Sequence, residues 1–207
     1  MKAKICGVKD SKTLNYLINH NYPPSYIGFI CNYPKSKRYI KFNNLKNLVN
    51  VKKRNTKFVA VLVKPKKKIL DKIKSLKFDY YQLYDVPALE TKRIKKKYKK
   101  KIITAITIKT LEDVKKYKEY IKISNIILFD GKGYEKSIGF NHMLIKNLSK
   151  NIKKMLAGDI KYNDNLENFK KITDIIDLSG SLETKNKKDL KKINIFLKNL
   201  KKVNVKT

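Results

Sequence analysis

Two short segments carry side chains able to exchange protons with a substrate. In AKICG, Cys6 precedes Gly7, which frees the turn, and Lys4 lies two residues back, on the same side of an extended chain. A free thiol titrates near ~8.5, and a nearby cation enlarges its thiolate fraction, so Cys6 is a candidate base. Its other reading is a small buried hydrophobe. In IILFDGKG, Asp130 comes directly after four apolar residues. Burial would keep that carboxyl protonated and suit it to general-acid work, while the other reading is a turn at Asp130-Gly131.

Further polar candidates are Arg38 in PKSKR and Gln82 in YYQLY, with Asp177 opening DLSGS. LAGD (156–159) and DLSGS (177–181) supply small residues, namely Gly158, Ser179, Gly180 and Ser181, whose backbone N–H groups suit a phosphate. Each loop also reads as an ordinary tight turn.

The elements that must position these residues recur with a simple period. Short β-branched runs return every 20 to 30 residues: 3–6, 26–30, 57–63, 80–84, 102–108, 125–129, 153–157 and 175–178. Between them lie segments with helical spacing. Residues 11–20 place Leu14, Leu17 and Ile18 on one face, with Ser11 as the expected N-cap. Residues 110–121 begin at Thr110, carry Glu112 and Asp113 in the first turn, and space Leu111, Val114, Tyr117 and Ile121 for one face. An amphipathic helix over 189–200 closes the chain. Eight strands alternating with helices predict an α/β fold, a single-domain (β/α)8 TIM barrel over residues 1–207. An open doubly wound sheet is disfavoured because no G-x-G-x-x-G follows the first strand. Active sites of such barrels lie at the C-terminal ends of the strands, where Cys6, Arg38, Asp130, Gly158 and the 177–181 loop fall.

Composition narrows the partners. The 51 Lys and Arg against 17 Asp and Glu give a formal charge of +34. Charge of that size raises the alternative of a basic nucleic-acid-binding protein built on a catalytically inactive barrel, with KRIKKKYKKK (92–101) and KPKKK (64–68) as contacts. Lysine is spread along nearly the whole chain, however, which reads better as a solvated face. Cys6 and Cys31 are too few for a disulfide framework and have no zinc spacing, and the two histidines form no HExxH, so free thiols and no metal are expected. The start of the chain lacks a secretory apolar stretch, which points to the cytoplasm.

Taken in order, KICGV (4–8), GFICNYPKSKRYI (28–40), VAVLV (59–63), YQLYD (81–85), ILFDG (127–131), MLAGDI (155–160) and DLSGSLET (177–184) resemble phosphoribosylanthranilate isomerase over nearly the whole chain. The resemblance implies an Amadori rearrangement in tryptophan biosynthesis, without a cofactor. It implies Cys6 as the general base that removes the C2′ proton and Asp130 as the acid that protonates the ring oxygen. Arg38 would face the anthranilate carboxylate, Asp177 the amine, and Gln82 the substrate more loosely. Gly158, Ser179, Gly180 and Ser181 match the phosphate loops. The implied partner is the substrate alone, with no specific nucleic acid and no membrane, in a monomer or homodimer. A related sugar-phosphate isomerase or lyase is disfavoured by the single KICG thiol and by PKSKR. This chain departs from the family pattern at Tyr84-Asp85 (family His-Gly), at Asp159 (family Gly), in the order Ser179-Gly180-Ser181, and in KGYEKSIGFNH (132–142).

Overall fold

The structure, a computed structural model, describes residues 1–131, 139–149 and 151–205. Most of KGYEKSIGFNH, residues 132–138, lies outside the described residues. Eight strands run β1 (Lys2–Cys6), β2 (Tyr26–Ile30), β3 (Lys57–Val63), β4 (Tyr80–Tyr84), β5 (Lys101–Ile108), β6 (Ile126–Gly131), β7 (Lys154–Ala157) and β8 (Ile175–Leu178). They pair in parallel in sequence order, and β8 pairs back onto β1 to close the barrel. The expected strands fall within two residues of these bounds.

The strands read as continuous apolar runs because both their faces are buried. Ala3 and Ile5 of β1, Ile27 and Phe29 of β2, and Phe58 and Leu62 of β3 join the layer that also holds helix residues such as Leu14, Leu17, Phe196 and Leu197. Alternate residues face inward, where Val59, Val61, Tyr80, Ile103, Leu128, Met155 and Ile175 fill the barrel. Lys4 shares the inward side of β1 with Cys6, so the strand that offers the thiol also threads a cation through the interior.

Among the described residues the α-helices are α1 (Ser11–Asn19), α2 (Phe42–Leu48), α3 (Lys67–Ile73), α4 (Ala88–Tyr98), α5 (Leu111–Lys115), α6 (Glu167–Lys170) and α7 (Leu190–Val205). α1 buries Leu14, Leu17 and Ile18 as expected, but its cap is Asp10: the Asp10 carboxylate accepts from Thr13 N at 2.7 Å, leaving Ser11 as the first helical residue. α5 has the expected Thr110 cap, completed by Asp113 as a capping box. It runs for only five residues before a 3-10 turn at Lys116–Glu119. Val114 and Tyr117 are buried as expected, while Leu111 and Ile121 are exposed. α7 outruns its expected end and buries Ile193, Phe196, Leu197, Leu200 and Val203 against the barrel. No helix among the described residues is long and apolar enough to cross a membrane.

Candidate active site

At the C-terminal ends of the strands, a cavity of about 760 Å³ is lined by Cys6, Arg38, Tyr84, Asp130, Gly158, Asp159, Asp177, Ser179, Gly180 and Ser181, among others. Its floor is polar because adjacent strands put charged residues in register. Lys4 on β1 pairs with Asp177 on β8, and Lys4 Nζ donates to Asp177 Oδ2 at 2.6 Å with the lysine fully buried. Cys6 is opposite Gly28 of β2. A Cβ on Gly28 would stand 2.8 Å from Cys6 Sγ and 3.2 Å from Lys4 Nζ, so glycine is what lets thiol and ammonium share this corner.

Burial competes with these charges. Burial pulls the Lys4 ammonium down, but Asp177 and the thiol beside it hold its pKa above the usual lysine value. Asp177 and Cys6 are both pushed up, burial outweighing the cation between them. Lys4 acts on Cys6 in the expected direction, favouring the thiolate, but loss of water outweighs it.

Asp130 stands at the end of β6, 6% exposed. Burial raises its pKa to about 7, with Asp177 adding to the rise and Tyr84 and Lys4 opposing it. The Tyr84 hydroxyl donates to Asp130 Oδ2 at 2.8 Å. Period-two geometry puts Gln82 two residues below Tyr84 on the same side of β4, so it lies beneath the cavity and does not line it. It is fully buried, and among the described residues its amide has no hydrogen-bond partner.

Arg38, in the loop after β2, reaches the rim but is already engaged. Its Nε and Nη2 donate to Glu183 Oε1 and Oε2 at 2.6 and 2.8 Å, a bidentate pair. Lys188 also donates to Glu183 Oε1 at 2.9 Å. Gly7, at φ +75°, makes room for this arginine, since a Cβ there would meet Arg38 Cδ at 2.3 Å. Around the other side, the Ser179 hydroxyl donates to Cys6 O at 3.1 Å and Lys188 donates to Ser179 O at 2.9 Å, tying the β8 loop to β1. The Ser181 hydroxyl is buried with no hydrogen-bond partner among the described residues. Asp159 is exposed and takes φ +51° beside Gly158, the left-handed conformation that glycine adopts freely.

Cys6, Arg38, Asp130, Asp177, Gly158 and the 179–181 loop thus converge on one cavity. The description of the N-(5′-phosphoribosyl)anthranilate (PRA) isomerase family matches this chain over residues 3–199. The chain belongs to that family. A PRA isomerase from Campylobacter jejuni is 32% identical over 98% of this chain and 100% of its own length, and one from Thermoanaerobacter pseudethanolicus is 29% identical over 97% and 98%. In fold the chain is similar to the crystal structure of the Thermotoga maritima PRA isomerase, with a TM-score of 0.86 at 24% identity, over 98% of this chain and 99% of that one. For this family member, sequence reasoning passed over Glu183 and the Tyr84–Asp130 contact. Tyr84 had a usable signal, because it lies two residues from Gln82 on one strand; Glu183 had none short of the fold.

Proposed function

We propose that this protein catalyses the Amadori rearrangement of N-(5-phosphoribosyl)anthranilate to 1-(2-carboxyphenylamino)-1-deoxyribulose 5-phosphate, a step of tryptophan biosynthesis, with Asp130 as general acid and Cys6 as general base. The supporting observation is that a thiol and a carboxyl held at about 7 open onto the same cavity. Asp130 gives its proton to the furanose oxygen as the C1′–O bond breaks, and the nitrogen lone pair closes the C=N bond. The cationic nitrogen acidifies the C2′ hydrogen, which the Cys6 thiolate removes. That cation also joins Lys4 in favouring the thiolate. The nitrogen is then neutral in the enamine, which rearranges to the ketose.

Arg38 is the group suited to the anthranilate carboxylate, through Nη1, since Nε and Nη2 are held by Glu183. Asp177 faces the amine, and the phosphate falls to Gly158, Gly180 and Ser181, with Ser179 fastening the loop. Gln82 is given no contact.

The working form is a neutral acid beside a thiolate. Because Asp130 titrates at about 7 and Cys6 above the usual thiol range, that form is a minority of the singly protonated site. kcat/KM then rises through the Asp130 value, as the first proton leaves the pair, and falls again through the thiol value.

Incubation with freshly generated phosphoribosylanthranilate, following loss of its fluorescence, tests the assignment. Turnover is expected above spontaneous decay, and Cys6→Ala and Asp130→Asn are each expected to lose on the order of 10²-fold or more with the fold intact by circular dichroism. Decay no faster than the spontaneous rate sinks the proposal, and unchanged turnover in either variant sinks the assignment of that residue.

A further inference from the structure

Tyr84 occupies a position where the family pattern carries histidine, and its phenol spans from β4 to β6. The intervening strand makes this possible. Tyr84 is in register with Ala105 of β5, and Ala105 with Leu128 of β6, so a small side chain lies between the tyrosine and the strand that carries Asp130. Both partners of the resulting hydrogen bond are buried and both line the cavity. Among the described residues, Asp130 Oδ1 has no hydrogen-bond partner of its own, whereas Oδ2 is met by the phenol at 2.8 Å.

We propose that Tyr84 is the positioning residue of the acid: its hydroxyl occupies Oδ2, confines the transferable proton to Oδ1, and stabilises the carboxylate left after transfer. This rests on the reading of Asp130 as the general acid. A donor in this place must stay a donor whatever the state of its partner. Burial, with Asp130, Cys6 and Asp177 close by, holds the phenol pKa well above its ordinary value, so the O–H is intact throughout the working range. A histidine would titrate near ~6.5 unperturbed, in the same interval as the acid it supports. The phenol removes that second titration. The other charged groups facing the pair are Lys4 and Cys6 from β1 and Asp177 from β8, and none of them donates a hydrogen bond to Asp130 among the described residues.

Two variants and two readouts test this. The carboxyl resonance of Asp130, identified by its absence in Asp130→Asn, is titrated by NMR in the unliganded wild type, Tyr84→Phe and Tyr84→His. The pH dependence of kcat/KM is measured for the same proteins. In Tyr84→Phe the Asp130 midpoint is expected to rise by roughly one unit, because the ionised form loses a donor. The ascending limb of kcat/KM moves up with it, and kcat falls by about tenfold as the proton loses its fixed side. Tyr84→His restores part of kcat and adds a second inflection to the titration. If the midpoint moves but no variant or wild type turns over the substrate, the isomerase reading fails and the coupling survives. If the wild type turns over and neither midpoint nor limb moves in Tyr84→Phe, the role of Tyr84 is overturned alone.

Discussion

Asp130 is costly to the fold for the same reason that it is useful. Burial holds its folded pKa at about 7, whereas an unfolded aspartate titrates near ~3.9. The folded value is the higher, so its stability contribution is complete below pH ~4 and is lost as pH rises through about 7. Ionising this carboxyl in the folded state costs on the order of 4 kcal/mol. Asp130→Asn keeps an acceptor for Tyr84 and cannot ionise, so it should be more stable than wild type, with an advantage that grows between pH 5 and 8. Urea unfolding at the two pH values checks this, and an equal difference at both would contradict it. Glu183 invites a second substitution. Glu183→Gln removes the charge that fixes Arg38, and KM is expected to rise roughly tenfold while kcat changes less, the pattern of lost ground-state binding. A fall in kcat at constant KM would place Arg38 elsewhere in the reaction. The placement of Cys6 and Asp130 at strand ends could be read from the sequence; the engagement of Arg38 by Glu183 could not, because the two lie 145 positions apart.

At the scale of elements, strands were more legible than helices. A parallel strand buried on both faces shows itself by an unbroken apolar run, and 26–30, 57–63, 80–84 and 175–178 stand at the expected bounds. Helix ends depend on which side chain turns back onto the backbone, and two adjacent candidates cannot be separated by type. Asp10 and Ser11 are such a pair, and the carboxylate one residue earlier took the role. Asp10→Ala should cost about 1 kcal/mol of unfolding free energy and Ser11→Ala a few tenths at most. Chemical denaturation distinguishes the two, and a larger loss at Ser11 would reverse the assignment. The capping box of α5 fixes its start, and in the 3-10 turn that follows Tyr117 packs on Phe129 of β6, at 6.4 Å between ring centroids.

For the molecule as a whole, the net charge of +34 governs how it meets polyanions. Among the described residues, lysines lie on α3, α4, α7 and the loops alike. Binding to duplex DNA or heparin is expected to be weak and sequence-independent, falling on the order of 10³-fold between 50 and 200 mM salt. Replacing Lys92, Lys95, Lys96 and Lys97 together should reduce it only in proportion to the charge removed. A selective loss of affinity, or a preferred sequence in a fluorescence-anisotropy titration, would show a dedicated site on α4.

By itself the sequence determined the barrel and the strand ends at which the polar residues stand, because strand burial and the period of two are local properties that each segment carries. Only the closed tertiary structure decided the states of those residues. Lys4 meets Asp177, Tyr84 reaches Asp130, and Glu183 holds Arg38 across separations of 173, 46 and 145 positions. The loss of water that raises Asp130 and Cys6 exists only once the barrel has closed around them.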